Sequence, residues 1–197
     1  MAITMTTGKP ITGKKIFYFI QSVDAPLGSA AILPAYRTDG STTLGGEFTD
    51  EQTQQGRILE KSTDEHTIEV TQYFAPADES VEVIEEAQKT GKSVKVWEVV
   101  VDESVAKGEG SKKYYPTKFG YAKVSEIEKA SGVEDLVELS YELSVVGALQ
   151  DGRFPLTDDE VSILNEVYAY QNPGETTGDY DAITREGETA RENETAE

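Results

Sequence analysis

The cleanest alternation of apolar and polar positions lies in LVELSYELSVVGAL, Leu136–Leu149. Val137, Leu139, Tyr141, Leu143 and Val145 fall on one side, and Glu138, Ser140, Glu142 and Ser144 on the other. A period of two predicts a strand with one face on a core and an acidic face toward water. HTIEVTQYF, His66–Phe74, repeats the pattern, setting Ile68, Val70 and Phe74 against Glu69 and Thr71. KKIFYFI, Lys14–Ile20, is apolar on both sides and predicts a strand buried on both faces. SVKVWEVVV at Ser93–Val101 and YYPTKFGYAKVSEIEKA at Tyr114–Ala130 supply two further strands.

One stretch breaks this period. After Asp78, Val81, Ile84 and Ala87 recur at helical spacing, and Gly91 suits the left-handed position that ends a helix. The pattern predicts a helix over about Asp78–Thr90, with Asp78 as N-cap and those three side chains buried. A second, short helix is predicted in LTDDEVSILNEVYAY. There Thr157 and Glu160 have the spacing of a capping box, and Leu156 and Val161 that of a hydrophobic staple. Residues 34–57, rich in Gly, Thr, Asp and Gln, predict a long loop or a weakly packed hairpin. Residues 172–197 are poor in apolar positions and read as a flexible acidic tail. The outcome is a single mainly β domain over 1–171, with an N-terminal arm over 1–12.

Charge narrows the function. Among 197 residues, 37 acids against 18 bases give a formal charge of -19, the reverse of what phosphate binding needs. The segment from Glu175 carries -6 of this, so the body itself is acidic at -13. The chain has no cysteine, which removes disulfides, thiolate metal sites and cysteine nucleophiles. MAITMTTGKPIT has no secretory leader pattern and no apolar run reaches spanning length, so the expectation is a protein made in a cytoplasm, with no membrane.

Groups for catalysis are scarce. His66 is the sole histidine, which excludes a multi-histidine metal site, and it stands at a strand start where a structural role is expected. The acids around Asp158 suit the first turn of a helix without any metal. TDGSTTLGGEF lacks the ligand spacing of a calcium loop, and no phosphate-binding glycine loop follows a strand. Glu138 and Glu142 would be the paired carboxylates of a hydrolase, but alternate positions on a wet strand face need no such explanation. Trp97 within KVWEVVV reads as packing, with carbohydrate stacking behind it. No catalytic residue, metal or cofactor is expected.

Four stretches then carry a resemblance: GKKIFYFI, FAPADESVEVIEEAQKTGKSVKVWEVVVDE, FGYAKVSEIEKA and LVELSYELSVVGALQDGRFPLTDDE. Together they resemble the major tail, or tail tube, proteins of long flexible-tailed, non-contractile bacteriophages, especially those of Gram-positive hosts. The likeness covers roughly Gly13–Tyr170. It implies a β-sandwich or barrel-like fold with one flanking helix, six subunits to a ring, and rings stacked into a virion tube that conducts DNA. It implies partners in other copies of the chain, a tape measure protein and a terminator or distal tail protein, with assembly in the host cytoplasm. Under this reading Glu126, Glu128, Glu138 and Glu142 are candidates to face the bore. Arg37, Asp39, Phe48 and Arg57 are candidates for contacts between rings, and Val81, Ile84, Ala87 and Trp97 for packing of the helix. The related tubes of phage-like secretion particles share the pattern. The alternative of another class is a monomeric β-sandwich that binds carbohydrate or acts as an adhesin.

Overall fold

The computed structural model describes residues 8–108 and 112–165. The expected tail over 172–197 and the first residues of the expected N-terminal arm lie outside that range. A 3-10 turn at Gly13–Lys15 leads into seven strands and two helices. In chain order these are β1 (Ile16–Ser22), β2 (Arg37–Thr53), β3 (Gly56–Tyr73), α1 (Glu79–Thr90), β4 (Ser93–Val100), β5 (Lys112–Ala130), β6 (Glu138–Val145), β7 (Gln150–Thr157) and α2 (Asp158–Asn165). The strands form one antiparallel sheet in the order β1-β4-β5-β6-β3-β2, with β7 pairing β5 beside β6.

Helix α1 forms as its sequence dictates. The Asp78 carboxylate accepts from the Ser80 N–H, Gly91 closes the helix at φ 67°, and Val81, Ile84 and Ala87 are buried. They pack on Ile20, Ile68, Val70, Val94, Val96, Tyr141 and Leu143, which line one face of the sheet. A buried polar tie fixes the helix start: Gln72 Nε2 donates to Asp78 Oδ2 at 2.8 Å, and the Tyr141 hydroxyl donates to Gln72 Oε1 at 3.2 Å. Burial holds the Tyr141 phenol well above its usual pKa.

On the other face a second core gathers Phe19, Val99, Tyr115 and Leu156, with Trp97, Phe154 and two residues of α2, Val161 and Leu164. Strand β1 feeds both cores, Tyr18 and Ile20 to one and Phe17 and Phe19 to the other, as its two-sided apolar pattern requires. Trp97 belongs to this second core and corrects the expectation that it packs α1. It pairs with Phe119 at 5.2 Å between ring centroids and meets Phe154 at 6.2 Å. The reason is strand parity: Val94 and Val96 point at the helix, so Trp97 points away.

The two ends of the strand path come together without a backbone ladder. Arg37 of β2 donates from Nη2 to the Ile16 carbonyl of β1 at 2.8 Å and to the Gly13 carbonyl at 3.2 Å, over the Tyr18 ring. Gly40 makes room, since a Cβ there would sit 2.5 Å from Tyr18 Cε2. The sheet is thereby curled toward a barrel. At α2 the capping box is present, with the Thr157 N–H donating to Glu160 Oε2 at 2.7 Å and the Glu160 N–H to Thr157 Oγ1 at 3.3 Å.

Of the two forms expected for residues 34–57, the structure takes the hairpin: β2 and β3 pair from Arg37↔Gln72 to Thr53↔Gly56. The strand expected over Leu136–Leu149 ends at Val145 and resumes as β7. Gly147 turns the chain at φ 80°, and the Val146 N–H donates to the Tyr121 carbonyl at 2.7 Å. Gly120 on β5 lets this corner close, because a Cβ there would meet Leu149 at 2.9 Å and Val145 at 3.0 Å.

Candidate functional site

The face of β3, β5 and β6 turned away from α1 is acidic and hydroxylated. Leu139, Tyr141 and Leu143 enter the helix-side core, so Glu138, Ser140, Glu142 and Ser144 project from the opposite face. Strand β5 presents Lys123 on that face opposite Ser144, and a bulge then changes which residues follow it there. Ala122 and Val124 lie on the helix side; the irregularity between Val124 and Glu126 inserts Ser125, after which Ile127 is the core residue. The extra residue reverses the parity, so Glu126 and Glu128 point outward rather than into the core. Ser125 Oγ reaches Glu142 Oε1 at 3.0 Å, and Ser144 Oγ donates to Ser125 Oγ at 3.2 Å.

Register then aligns three carboxylates across three strands. Glu142 pairs with Glu126 on one side and with Glu69 on the other. Like charges directly opposite cost stability, on the order of 0.2–1 kcal/mol a pair. In the next row Glu128 pairs with Ser140, whose hydroxyl lies 3.1 Å from that of Thr71. Glu138 accepts from Thr38 Oγ1 at 3.4 Å. The sequence-predicted acids therefore share one face, and Glu69 is the member that sequence reasoning missed. Its alternation in HTIEVTQYF marked it as outward, but nothing in the sequence brings β3 beside β6.

The second feature is the β2–β3 ribbon. Strand β3 pairs with β6 only from Thr67 to Tyr73, so the hairpin between Leu44 and His66 has no third strand. Leu44, Phe48, Ile58 and Leu59 are exposed on it, Phe48 at 60%. A two-stranded ribbon bearing exposed apolar side chains is marginal alone in water. His66 anchors its root by accepting the Leu149 N–H at Nδ1, 2.9 Å away, a structural role as expected.

The four residues expected at contacts between subunits divide. Phe48 and Arg57 lie on the exposed ribbon, where Arg57 grips Asp50 through two bonds of 2.7 and 2.6 Å. That ion pair holds the Asp50 carboxyl below its usual pKa. Asp39 is exposed on the outer face just after the β2 bulge, accepting from the Gly40 N–H. Arg37 donates within the subunit to the Ile16 carbonyl of β1 and to the Gly13 carbonyl of the turn before it.

Among the described residues, no group of three or more histidine and acidic side chains is arranged to hold a metal ion, and no helix is long and apolar enough to cross a membrane. Trp97 is half-buried and packs against Phe119 and Phe154.

Comparison with known proteins gives these features a context. Residues 10–151 match the family described as phage tail tube protein. The chain is 40% identical over 171 residues to a tail tube protein of Bacillus phage SPP1, a match covering 86% of this chain and 62% of that relative's length. A solved structure of the SPP1 tail tube aligns with a TM-score of 0.64 at 34% identity, covering 86% of this chain and 96% of the other. The tail of an empty gene transfer agent particle, refined with C6 symmetry, shares the fold at a TM-score of 0.55 and 16% identity, covering 72% and 98% of the two chains.

Proposed function

Since this chain belongs to the phage tail tube protein family, we propose that it is the repeating subunit of a virion tail tube, with rings of six stacked into a conduit for DNA. The observation that carries the reading is the in-register row Glu69–Glu142–Glu126 on the sheet face away from α1. That row is unfavourable for the isolated subunit and serves a wall past which DNA must slide. A basic wall would release counterions on contact and hold the polyphosphate, whereas carboxylates and hydroxyls leave it free. Glu128 and Glu138 extend the same lining.

The β2–β3 ribbon supplies the contacts that join copies, through Phe48 and Arg57 in particular, with Asp39 at the margin of the lined face. Helix α1 covers the opposite side of the sheet and carries Glu82 and Glu86 on its exposed face. The tube's further partners are a tape measure protein inside it and a terminator or distal tail protein at its ends, with assembly in the host cytoplasm. Native mass spectrometry and negative-stain microscopy of the purified protein test the assignment. Hexameric species and tubes support it, and a strict monomer at every concentration overturns it.

A further inference from the structure

The β2–β3 ribbon leaves the body of the subunit at His66. Strand β3 pairs with β6 from Thr67 onward, and just outside that point β2 sets Gly45 and Gly46 opposite Glu65 and Asp64. The ladder is irregular there. Gly46 pairs with Asp64 and Phe48 with Lys61, so Ser62 and Thr63 oppose Glu47 alone. A bulge bends the ribbon that carries it, and successive glycines lower its resistance to bending. The fold therefore places a hinge at the ribbon's root.

A single imidazole ties that hinge to the body. The His66 side chain is only 11% exposed, and its Nδ1 accepts the Leu149 N–H at 2.9 Å, from the corner between β6 and β7. A ring nitrogen accepts only while it carries no proton, so this bond belongs to the neutral imidazole with its hydrogen on Nε2. Nε2 lies 3.8 Å from the Asp64 carboxylate, which stands on the ribbon side of the hinge. The bond from Lys61 holds the Asp64 carboxyl below its usual pKa, so it is charged throughout the range in which imidazoles titrate.

We infer that His66 is a proton-operated latch: neutral, it fastens the ribbon root to the β6–β7 corner, and protonated, it releases Leu149 and is drawn to Asp64. Uptake of one proton at Nδ1 turns the acceptor into a donor, which leaves two N–H groups facing each other. The Leu149 amide loses its partner while the imidazolium gains the Asp64 carboxylate. The charged groups that face the ring are Asp64 and, bonded to it, Lys61, both from its own strand. Strand β2 opposes the ring with Leu44 and the corner presents Leu149, neither of which titrates. Glu65 falls on the other face by strand parity, and Glu47 stands in the bulge. The sign follows from the neutral acceptor: the latch is closed above the titration of the ring and opens as pH falls through it. This property belongs to the subunit itself and is independent of the tube reading.

His66 is the sole histidine, so its ring signals are unambiguous. Nitrogen-15 NMR of the full-length protein at about pH 8 should show Nδ1 without a proton and Nε2 with one. On titration to about pH 5, the amide signals of Leu149, Gly45 and Gly46 should move with the midpoint of the ring. Hydrogen-exchange protection at Leu149, corrected for intrinsic rates, should fall about tenfold, the equivalent of one lost hydrogen bond, while Ile68 stays protected. His66→Asn, whose Oδ1 accepts at every pH, should keep Leu149 protected at both ends of the titration. A proton on Nδ1 at the alkaline end, or Leu149 protection that does not change as the ring titrates, overturns the inference. Should His66→Asn fail to fold, Asp64→Asn decides the matter. It removes the carboxylate that draws the cation, so the midpoint of the Leu149 change should move to lower pH, and an unmoved midpoint contradicts the latch.

Discussion

Glu126 and Glu142 stand directly opposite each other across the β5–β6 ladder, with Ser125 between them as the bulged residue that donates to Glu142. The pair is costly for an isolated subunit. Glu126→Gln combined with Glu142→Gln should raise the urea midpoint by an amount equivalent to about 0.2–1 kcal/mol, and added salt should narrow the gap by screening the parent. A loss of stability would mean that these carboxylates hold the subunit together.

Arg37 joins the ends of the curled sheet through carbonyl groups, which need a donor of fixed geometry. Arg37→Met should lower stability by about 1.5–3 kcal/mol, the usual range for a charge-assisted hydrogen bond. Arg37→Lys should recover only part of that, because an ammonium cannot reproduce the planar fork. Thermal melting of the two variants provides the check, and a neutral Arg37→Met would show that the curl is held elsewhere.

The helix supplies a sharper contrast. Ile84 is fully buried, so Ile84→Asp places an unpaired carboxylate in the core and should cost about 3–5 kcal/mol. Glu82→Lys, two residues away on the wet face, should melt like the parent. Equal melting of both variants with the parent would refute the packing of α1 on the sheet.

Asp102 ties the end of β4 to the start of β1 by accepting from Lys15 and from the Ser104 N–H and hydroxyl. The Lys15 bond, followed by those from Ser104, holds its carboxyl far below the ordinary range. A depressed carboxyl contributes stability that is complete above its unfolded pKa, about 3.9, and is lost as pH falls toward the folded value. Asp102→Asn should therefore lose stability at neutral pH and show a shallower decline below pH 4. Parallel acid-unfolding curves for variant and parent would contradict this.

What the sequence made legible follows from where burial is one-sided. The alternation of Leu136–Val145 and the spacing of Val81, Ile84 and Ala87 are imprints of a core, and the strands and helix they predict are present. The distal ribbon buries little of either face, so its polar, glycine-rich strands leave no periodic trace. Strand β7, with Gly152 and Pro155, lacks alternation and exists because the first half of β5 offers it a partner. The bulge at Ser125 is visible only as the three-residue step from Val124 to Ile127. Register with distant strands decided the remainder: it set Glu69 beside Glu142 on the acidic face and brought Arg37 to the Ile16 carbonyl.

The orientation of the sheet in the assembled particle is the central claim, and a cryo-electron microscopy reconstruction of tubes formed by the protein tests it most directly. The account predicts a bore lined by the β3–β6–β5 face, with the carboxylates of Glu69, Glu126 and Glu142 projecting into it and α1 on the outside. A map in which α1 lines the bore and those three glutamates face the exterior would contradict it.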